Sequence, residues 1–163
     1  MPELEVEMSE VYLLPGEVHL ARKPTYIRTI LGSCVGVTFW TRRLEIGALT
    51  HSLLPRCASD PSSKFSPAIG HRYVDFSIRE LTRQLDELGV PRSEVQVKLF
   101  GGADVLLVSD ASMLTVGRMN CEAAIEVVRE LGFAVAASSL GGTLGRNIRF
   151  NTRTGEVLLR WLD

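Results

Sequence analysis

The chain has 163 residues, and its 18 Lys plus Arg and 19 Asp plus Glu give a formal net charge of −1. This balance argues against a partner held mainly by phosphate charge, such as bulk nucleic acid or an anionic membrane. The hydrophobic fraction of 45% and the charged fraction of 23% are typical of a folded globular protein. We expect one domain over residues 1–163, with residues 1–10 as a flexible N-terminal segment.

The sequence shows no targeting pattern. Residues 1–8 are acidic and lack the basic and apolar regions of a signal peptide. No apolar run approaches the roughly 18 residues that a membrane-spanning helix needs. Three cysteines cannot complete a disulfide framework within one chain, which favours a reducing compartment. We therefore expect a cytoplasmic protein.

The first clear elements in chain order are two strands at residues 34–40 and 44–51. A turn centred between Arg42 and Arg43 would place Val35 opposite Thr50 on an apolar face that packs into the core. On the other face Cys34 would stand opposite His51, with Cβ atoms about 4.5–5.5 Å apart. A two-residue slip would leave the pair diagonal on the same face, whereas a one-residue slip would spoil the apolar face.

A long connection and two helices follow the hairpin. Residues 55–70 are rich in proline and serine and predict a long loop of the kind that often forms a lid or a binding site. Apolar residues at helical spacing predict one helix over 74–88, which Gly89 and Pro91 end. A second helix is predicted from Cys121 to its end at Leu131–Gly132, with Asn120 as its N-cap and Cys121 on its apolar stripe.

Further strands are predicted at 95–99, 133–137, 147–150 and 156–162, and the last two form a hairpin. These strands follow one another too closely for repeated βαβ units, so the pattern predicts a layered α+β domain. Gly101–Gly102 and Gly141–Gly142 follow predicted strands without the spacing of a phosphate-binding loop. Tight turns are the favoured interpretation of both pairs, and a backbone platform for a substrate is the alternative.

A cysteine and a histidine within reach of each other suggest nucleophilic catalysis. The imidazole would take the thiol proton and hold the thiolate as an ion pair. Gly32 and Ser33, just before Cys34, could leave backbone N–H groups free to bind an oxyanion. The alternative is an ordinary buried cysteine, which is the expected role of Cys121. Cys57 has no assigned role, and no ligand spacing supports a zinc site.

Several ordered blocks resemble the CheD family of chemoreceptor glutamine deamidases. They are Leu31–Val37, His51–Pro55, Tyr73–Asp75, Lys98–Ala103, Val116–Asn120, Gly141–Arg146 and Thr154–Val157. The resemblance covers the chain from about residue 11 to its end. It implies a single CheD-like deamidase domain with an α-β-β layered fold, in which a mostly antiparallel β-sandwich core carries two main helices on one face.

The resemblance also implies the site. Cys34 would be the nucleophile, His51 the general base and acid, and Gly32 with Ser33 would bind the oxyanion and substrate. The third member would be Thr29, which orients the histidine, with a backbone carbonyl near Arg28 as the alternative. No metal or cofactor is needed. The implied partners are methyl-accepting chemoreceptors as protein substrates and the CheC phosphatase, with neither nucleic acid nor membrane insertion.

Two rival functions differ in their use of the cysteines. A redox-active thiol protein would pair Cys34 with a resolving cysteine, most simply Cys57. A non-catalytic module would only regulate a chemotaxis partner, although the presence of both Cys34 and His51 argues against this alternative.

Overall fold

The computed structural model describes residues 5–57, 66–106 and 114–163. Within these residues nine strands form two sheets, and helices cover one of them. The strands are β1 (Ser9–Tyr12), β2 (Val18–Ala21), β3 (Thr25–Leu31), β4 (Val35–Thr41), β5 (Ile46–Thr50), β6 (Val95–Gly101), β7 (Val135–Leu140), β8 (Arg146–Asn151) and β9 (Val157–Trp161). The helices are α1 (Pro67–Gly70), α2 (Val74–Glu87) and α3 (Val116–Glu130), with a 3₁₀ turn at Arg92–Glu94.

The strand order defines two mostly antiparallel sheets. One has four strands in the order β1-β3-β8-β9, and the other has five in the order β2-β5-β4-β6-β7. Among the named strands of the described residues, the pairs β1–β3 and β6–β7 are parallel and the others antiparallel. The strand β3 therefore lies between β1 and β8, and β4 lies between β5 and β6.

Two apolar layers hold the two sheets and the helices together. Side chains from both sheets, including Ile27, Leu31, Leu49 and Phe150, form the layer between the sheets. The other face of the five-stranded sheet packs against α2 and α3. This arrangement confirms the predicted α+β fold, with a β-sandwich core and two main helices on one face.

The strand β4 is buried on both faces, because it is central in the middle layer. Val35, Val37 and Phe39 point towards the helices, whereas Cys34 and Trp40 pack in the layer between the sheets. This alternation agrees with the faces predicted from the sequence. It directs the cysteine towards the four-stranded sheet.

The predicted register of the hairpin is wrong by two residues. The observed pairs include Phe39 with Ala48, and Val35 bridges to Ser52 instead of Thr50. The cause is a four-residue loop, residues 42–45, in which Glu45 takes a positive φ of 49°. Two consecutive arginines do not suit the tighter two-residue turn, which needs positive φ at both positions.

The start of the second predicted helix is also wrong. The helix α3 begins at Val116, and its N-cap is Thr115, whose side chain accepts a hydrogen bond from the N–H of Arg118. Asn120 is therefore inside the helix and is fully buried. A polar residue that precedes an apolar stripe can serve as a cap or face the interior, and the pattern alone does not separate these roles.

Other expectations concern the ends and the loop. Ser9 and Glu10, the last residues of the segment expected to be flexible, form the start of β1. In the predicted long connection, residues 58–65 lie outside the described residues, and Pro67–Gly70 forms the single turn α1. In the part of the chain that is described, no helix combines the length and the apolar character needed to cross a bilayer.

Candidate active site

His51 and Thr29 make the shortest contact of the site, across the gap between the two sheets. His51 follows β5, and Thr29 lies in β3 with its side chain facing inwards. Thr29 Oγ1 is 2.6 Å from His51 Nδ1, and both residues are buried. The structure thus places the predicted threonine beside the predicted histidine.

The carbonyl of Leu13 determines which atom donates in the hydrogen bond between Thr29 and His51. The Thr29 hydroxyl also lies 2.7 Å from the carbonyl oxygen of Leu13, which can only accept. When the single hydroxyl proton is donated to Leu13, the short contact with His51 requires a proton on Nδ1. The arrangement therefore favours the tautomer that leaves Nε2 of His51 free to accept a proton.

The main chain around His51 is held on both sides. Its N–H donates to the carbonyl of Glu17 at 3.1 Å, and its carbonyl accepts from Gly16 at 2.7 Å. The alternative orienting group, the carbonyl of Arg28, is occupied by the N–H of Leu13 at 2.8 Å. The backbone carbonyl beside the imidazole is that of Leu13, which the sequence analysis did not identify.

Cys34 precedes β4 and shares its inter-sheet face with His51. The bridge between Val35 and Ser52 extends the hairpin register, so Gly36 stands opposite His51 and Cys34 is diagonal to it. Diagonal neighbours on one face remain within reach of long or aromatic side chains. The direct opposition expected from the sequence is therefore replaced by a diagonal relation on the same face.

The loop that carries Cys34 is fixed through its carbonyl groups. The carbonyls of residues 32, 33 and 34 each accept a hydrogen bond of 2.9 Å, from Ala103 N, Asn120 Nδ2 and Gly102 N in that order. Among the described residues, no other residue accepts a hydrogen bond from the N–H of Ser33 or Cys34. The loop can therefore present the N–H groups of Ser33 and Cys34 as backbone donors, whereas the oxyanion role expected for Gly32 and Ser33 stays a prediction.

Gly101 and Gly102, at the end of β6, support this loop at very short range. Both residues have positive φ, of 101° and 68°. A Cβ atom on Gly101 would lie 2.2 Å from the carbonyl oxygen of Cys34, and one on Gly102 would lie 2.1 Å from Cys121 Sγ. The favoured interpretation of a tight turn is not what the structure shows, because Gly101 is the last residue of β6 and Gly102 directly follows it. The two glycines instead allow the backbone of the cysteine loop and helix α3 to approach closely.

Burial controls the charge state of both reactive groups. Desolvation raises the pKa of the Cys34 thiol, and the backbone N–H of the same residue partly opposes the rise. Desolvation lowers the pKa of His51 to about 4, against the opposing effects of the Leu13 carbonyl and the Glu17 charge. The neutral thiol and neutral imidazole are thus favoured at pH 7 over the ion pair suggested by the sequence.

Two cavities flank the cysteine loop. One of about 320 Å³ lies beside Ser33, and its other lining residues are Ala103, Asp104, Val105, Leu106, Thr115, Val116 and Gly117. One of about 400 Å³ adjoins Gly32 and is also lined by Ile30, Leu31, Val105, Thr143, Leu144, Gly145, Leu162 and Asp163. The surface on either side of Gly32 and Ser33 is therefore concave and largely apolar.

The other two cysteines have different surroundings. Cys121 is partly buried in α3, packs against the core between sheet and helices, and has its Sγ 3.6 Å from the Gly102 carbonyl. The N–H of Cys57 donates to Asp75 at 2.9 Å. Among the described residues, no group of three His, Cys, Asp or Glu side chains could hold a metal ion.

Asn120 is a second residue whose part in the site was missed. Its side chain bonds to the carbonyls of Ser33 and Leu53, which belong to the chain segments that carry Cys34 and His51. The sequence pattern offered a signal in the polar residue beside the apolar stripe of α3, but this signal was interpreted as a cap.

Comparison with known proteins gives a family match. Residues 53–161 match the family described as CheD chemotactic sensory transduction. A protein of Geobacter sulfurreducens named "Probable chemoreceptor glutamine deamidase CheD 2" is 42% identical over 157 residues, which cover 96% of this chain and 92% of that protein. A protein of Methanococcus maripaludis, named "Probable chemoreceptor glutamine deamidase CheD", is 34% identical over 145 residues, which cover 89% of this chain and 90% of that protein.

Proposed function

The chain belongs to the CheD family, and we propose that it is a protein-glutamine deamidase that converts glutamine side chains of chemoreceptors to glutamate. The observation that carries this proposal is the hydrogen-bonded pair of Thr29 and His51 on the inter-sheet face that also holds Cys34. A thiol beside an oriented, unprotonated imidazole nitrogen is the arrangement that nucleophilic attack on an amide requires.

The first step joins the thiol sulfur to the amide carbon of glutamine. Because burial favours neutral partners, the thiol proton moves to His51 Nε2 as the bond forms. The contact of Nδ1 with Thr29 keeps the ring in the orientation and tautomer that accept this proton. The carbonyl oxygen of the substrate becomes an oxyanion that the N–H groups of Ser33 and Cys34 are free to bind.

The intermediate then loses ammonia. Protonated His51 gives its proton to the amide nitrogen, the carbon–nitrogen bond breaks, and a thioester with Cys34 remains. Water attacks the thioester while His51 takes one of its protons and returns it to the sulfur. The products are ammonia and a glutamate side chain, and the thiol and imidazole are restored to their starting forms.

The cavities beside the loop support a protein substrate. Their apolar lining at Val105, Leu106 and Leu144 suits side chains that flank the glutamine on a receptor surface. A receptor substrate places the reaction in the cytoplasm. Docking of the CheC phosphatase stays a prediction from the family resemblance, and co-elution of this chain with CheC from the same organism would test it.

The test is incubation with the cytoplasmic fragment of a chemoreceptor from the same organism, followed by peptide mass spectrometry. We expect glutamine-to-glutamate conversion by the wild-type protein and none by Cys34→Ala or His51→Ala. Cys57→Ser is the matched control, because it replaces a thiol outside the site and should retain activity. Conversion by Cys34→Ala would refute the proposal.

The same preparation separates the redox alternative. Mass spectrometry after oxidant treatment would reveal a Cys34–Cys57 disulfide if the protein were a thiol sensor. We expect full deamidation by Cys57→Ser in reducing buffer. A disulfide that is required for function would instead favour the redox role.

A further inference from the structure

Asn120 joins the two chain segments that carry the proposed catalytic residues. It lies inside α3, and its side chain has no exposed surface. Its Nδ2 donates to the carbonyl oxygen of Ser33 at 2.9 Å and to that of Leu53 at 3.0 Å. Ser33 immediately precedes Cys34, and Leu53 follows His51 by two positions.

The chemistry of these contacts fixes the orientation of the amide. Both partners are carbonyl oxygens, which only accept hydrogen bonds, so the NH₂ end of Asn120 must face them. The Oδ1 atom is buried and has no partner among the described residues. A buried acceptor without a partner lowers stability, so this asparagine is a costly choice for a helix interior. The two N–H donors on Nδ2 are the part of the side chain that contacts the chain segments of Cys34 and His51.

The contact with Ser33 determines the direction of a neighbouring N–H. The carbonyl of Ser33 and the N–H of Cys34 belong to one planar trans peptide unit, in which the two groups point in opposite directions. Because Asn120 holds the carbonyl towards the protein interior, the N–H of Cys34 is turned away from it. This N–H lies close enough to the thiol to lower the pKa of Cys34.

We propose that Asn120 is a positioning residue that aims the backbone N–H of Cys34 at the oxyanion of the substrate. The inference rests on the proposed deamidase function. Asn120 touches no reacting atom, and it acts through the peptide unit between Ser33 and Cys34. Its second bond, to Leu53, ties the same amide to the segment that continues from His51.

Two reactions of the same thiol separate this role from a general structural one. Deamidation passes through an oxyanion, whereas alkylation of Cys34 by iodoacetamide displaces iodide and forms none. We expect Asn120→Leu, which keeps the approximate shape but has no donor, to lower kcat for deamidation by about 10- to 100-fold. The limiting rate of Cys34 alkylation at high pH should stay the same as in the wild type.

Thr82→Val is the matched control. Thr82 is buried in α2, and its hydroxyl donates within its own helix, to the carbonyl oxygen of Ile78 at 2.7 Å. This substitution removes a buried hydrogen bond within α2 that involves no residue of the cysteine loop. It should change the rate of neither deamidation nor alkylation. Asn120→Ser provides the same test with a smaller side chain if Asn120→Leu does not fold, as judged by thermal unfolding.

Each outcome decides one question. Equal losses of deamidation and alkylation in a folded Asn120 variant would overturn the positioning role in favour of a structural one. Unchanged deamidation would overturn it as well. Absence of deamidation by the wild type would refute the proposed function itself, whereas activity that requires Cys34 but not Asn120 would refute only this inference.

Discussion

Thr29 Oγ1 and His51 Nδ1 are 2.6 Å apart, although Thr29 lies in the four-stranded sheet and His51 directly follows β5 of the other sheet. The contact depends on the spacing of the sheets, which the apolar layer between them sets. The hydroxyl is itself held by the carbonyl of Leu13 at 2.7 Å. The orientation of the imidazole is therefore a property of the packed sandwich and not of the hairpin alone.

Removal of the Thr29 hydroxyl should slow deamidation without unfolding the protein. Thr29→Val keeps the shape but leaves His51 Nδ1 without its acceptor, so we expect kcat to fall by about tenfold. Thr29→Ser retains the hydroxyl and should recover most of the activity. Steady-state kinetics with a receptor fragment would measure both variants.

Thr41→Val is the control for this substitution. Thr41 is equally buried in β4, but its hydroxyl has no partner among the described residues. The change should leave kcat unaffected and should not lower the melting temperature, because no hydrogen bond is lost. Equal losses of activity in Thr29→Val and Thr41→Val would contradict a specific role for Thr29.

The charge states predict an unusual pH profile for the thiol. Because burial raises the pKa of Cys34, alkylation by iodoacetamide should be slow at pH 7 and should increase with pH beyond the range of an ordinary cysteine. Deamidation should persist at pH 5.5, since His51 becomes protonated only near pH 4. An alkylation rate that is already at its plateau below pH 7 would indicate a thiolate–imidazolium pair instead.

His51 should also make stability depend on pH. Its pKa is lowered from 6.5 to about 4 on folding, so the unfolded chain binds the proton more tightly. Stability is therefore greatest above pH 6.5 and decreases as pH falls towards 4. We expect His51 to account for a loss of about 2 kcal/mol in the unfolding free energy between pH 7 and pH 5.

Urea unfolding of the wild type and His51→Gln at both pH values would measure this loss. The glutamine variant should lose about 2 kcal/mol less than the wild type over that interval. The pKa of His71 is also lowered by burial, but this residue is present in both proteins and its effect cancels. The same acid sensitivity in both proteins would show that His51 is not the cause.

The Gly101 position should tolerate no side chain. In Gly101→Ala the new Cβ would lie 2.2 Å from the carbonyl of Cys34, so the cysteine loop must move. A displacement of the nucleophile by about 1 Å can reduce the rate by about 100-fold. We expect a loss of this size in kcat, measured on protein shown to be folded by circular dichroism.

Gly132→Ala separates this displacement from simple backbone strain. Gly132 also has a positive φ, of 85°, but a Cβ there would meet nothing within 4 Å. The control should lose about 1 kcal/mol of stability and keep its kcat. If both alanine variants kept full activity, the close approach of Gly101 would not be needed to hold the cysteine loop.

The sequence predicted the faces of the hairpin better than its register. Alternation placed Cys34 and His51 on one face because β4 has an apolar residue at every second position. The register depends on the length of the turn. The turn ends at Glu45, which takes a positive φ although glutamate is not a residue that predicts one. The pair thus shares a face, as predicted, but is diagonal.

Contacts from distant segments could not be predicted in the same way. Leu13 contributes a carbonyl, which every residue possesses, so its position next to Thr29 depends on the parallel pairing of β1 with β3. Asn120 reaches Ser33 only because α3 packs closely against Gly102. Such relations arise from tertiary packing, which local patterns do not encode.

The position of β3 between β1 and β8 has a consequence for the order of folding. Thr29 pairs with Ile148, so the strand that orients the histidine gains its second neighbour only from β8, which comes late in the sequence. Pairings between such distant segments form slowly, because a long loop must close first. We expect a growing chain to contain Cys34 and His51 long before they can cooperate, so that amide hydrolysis begins only once β8 has paired with β3.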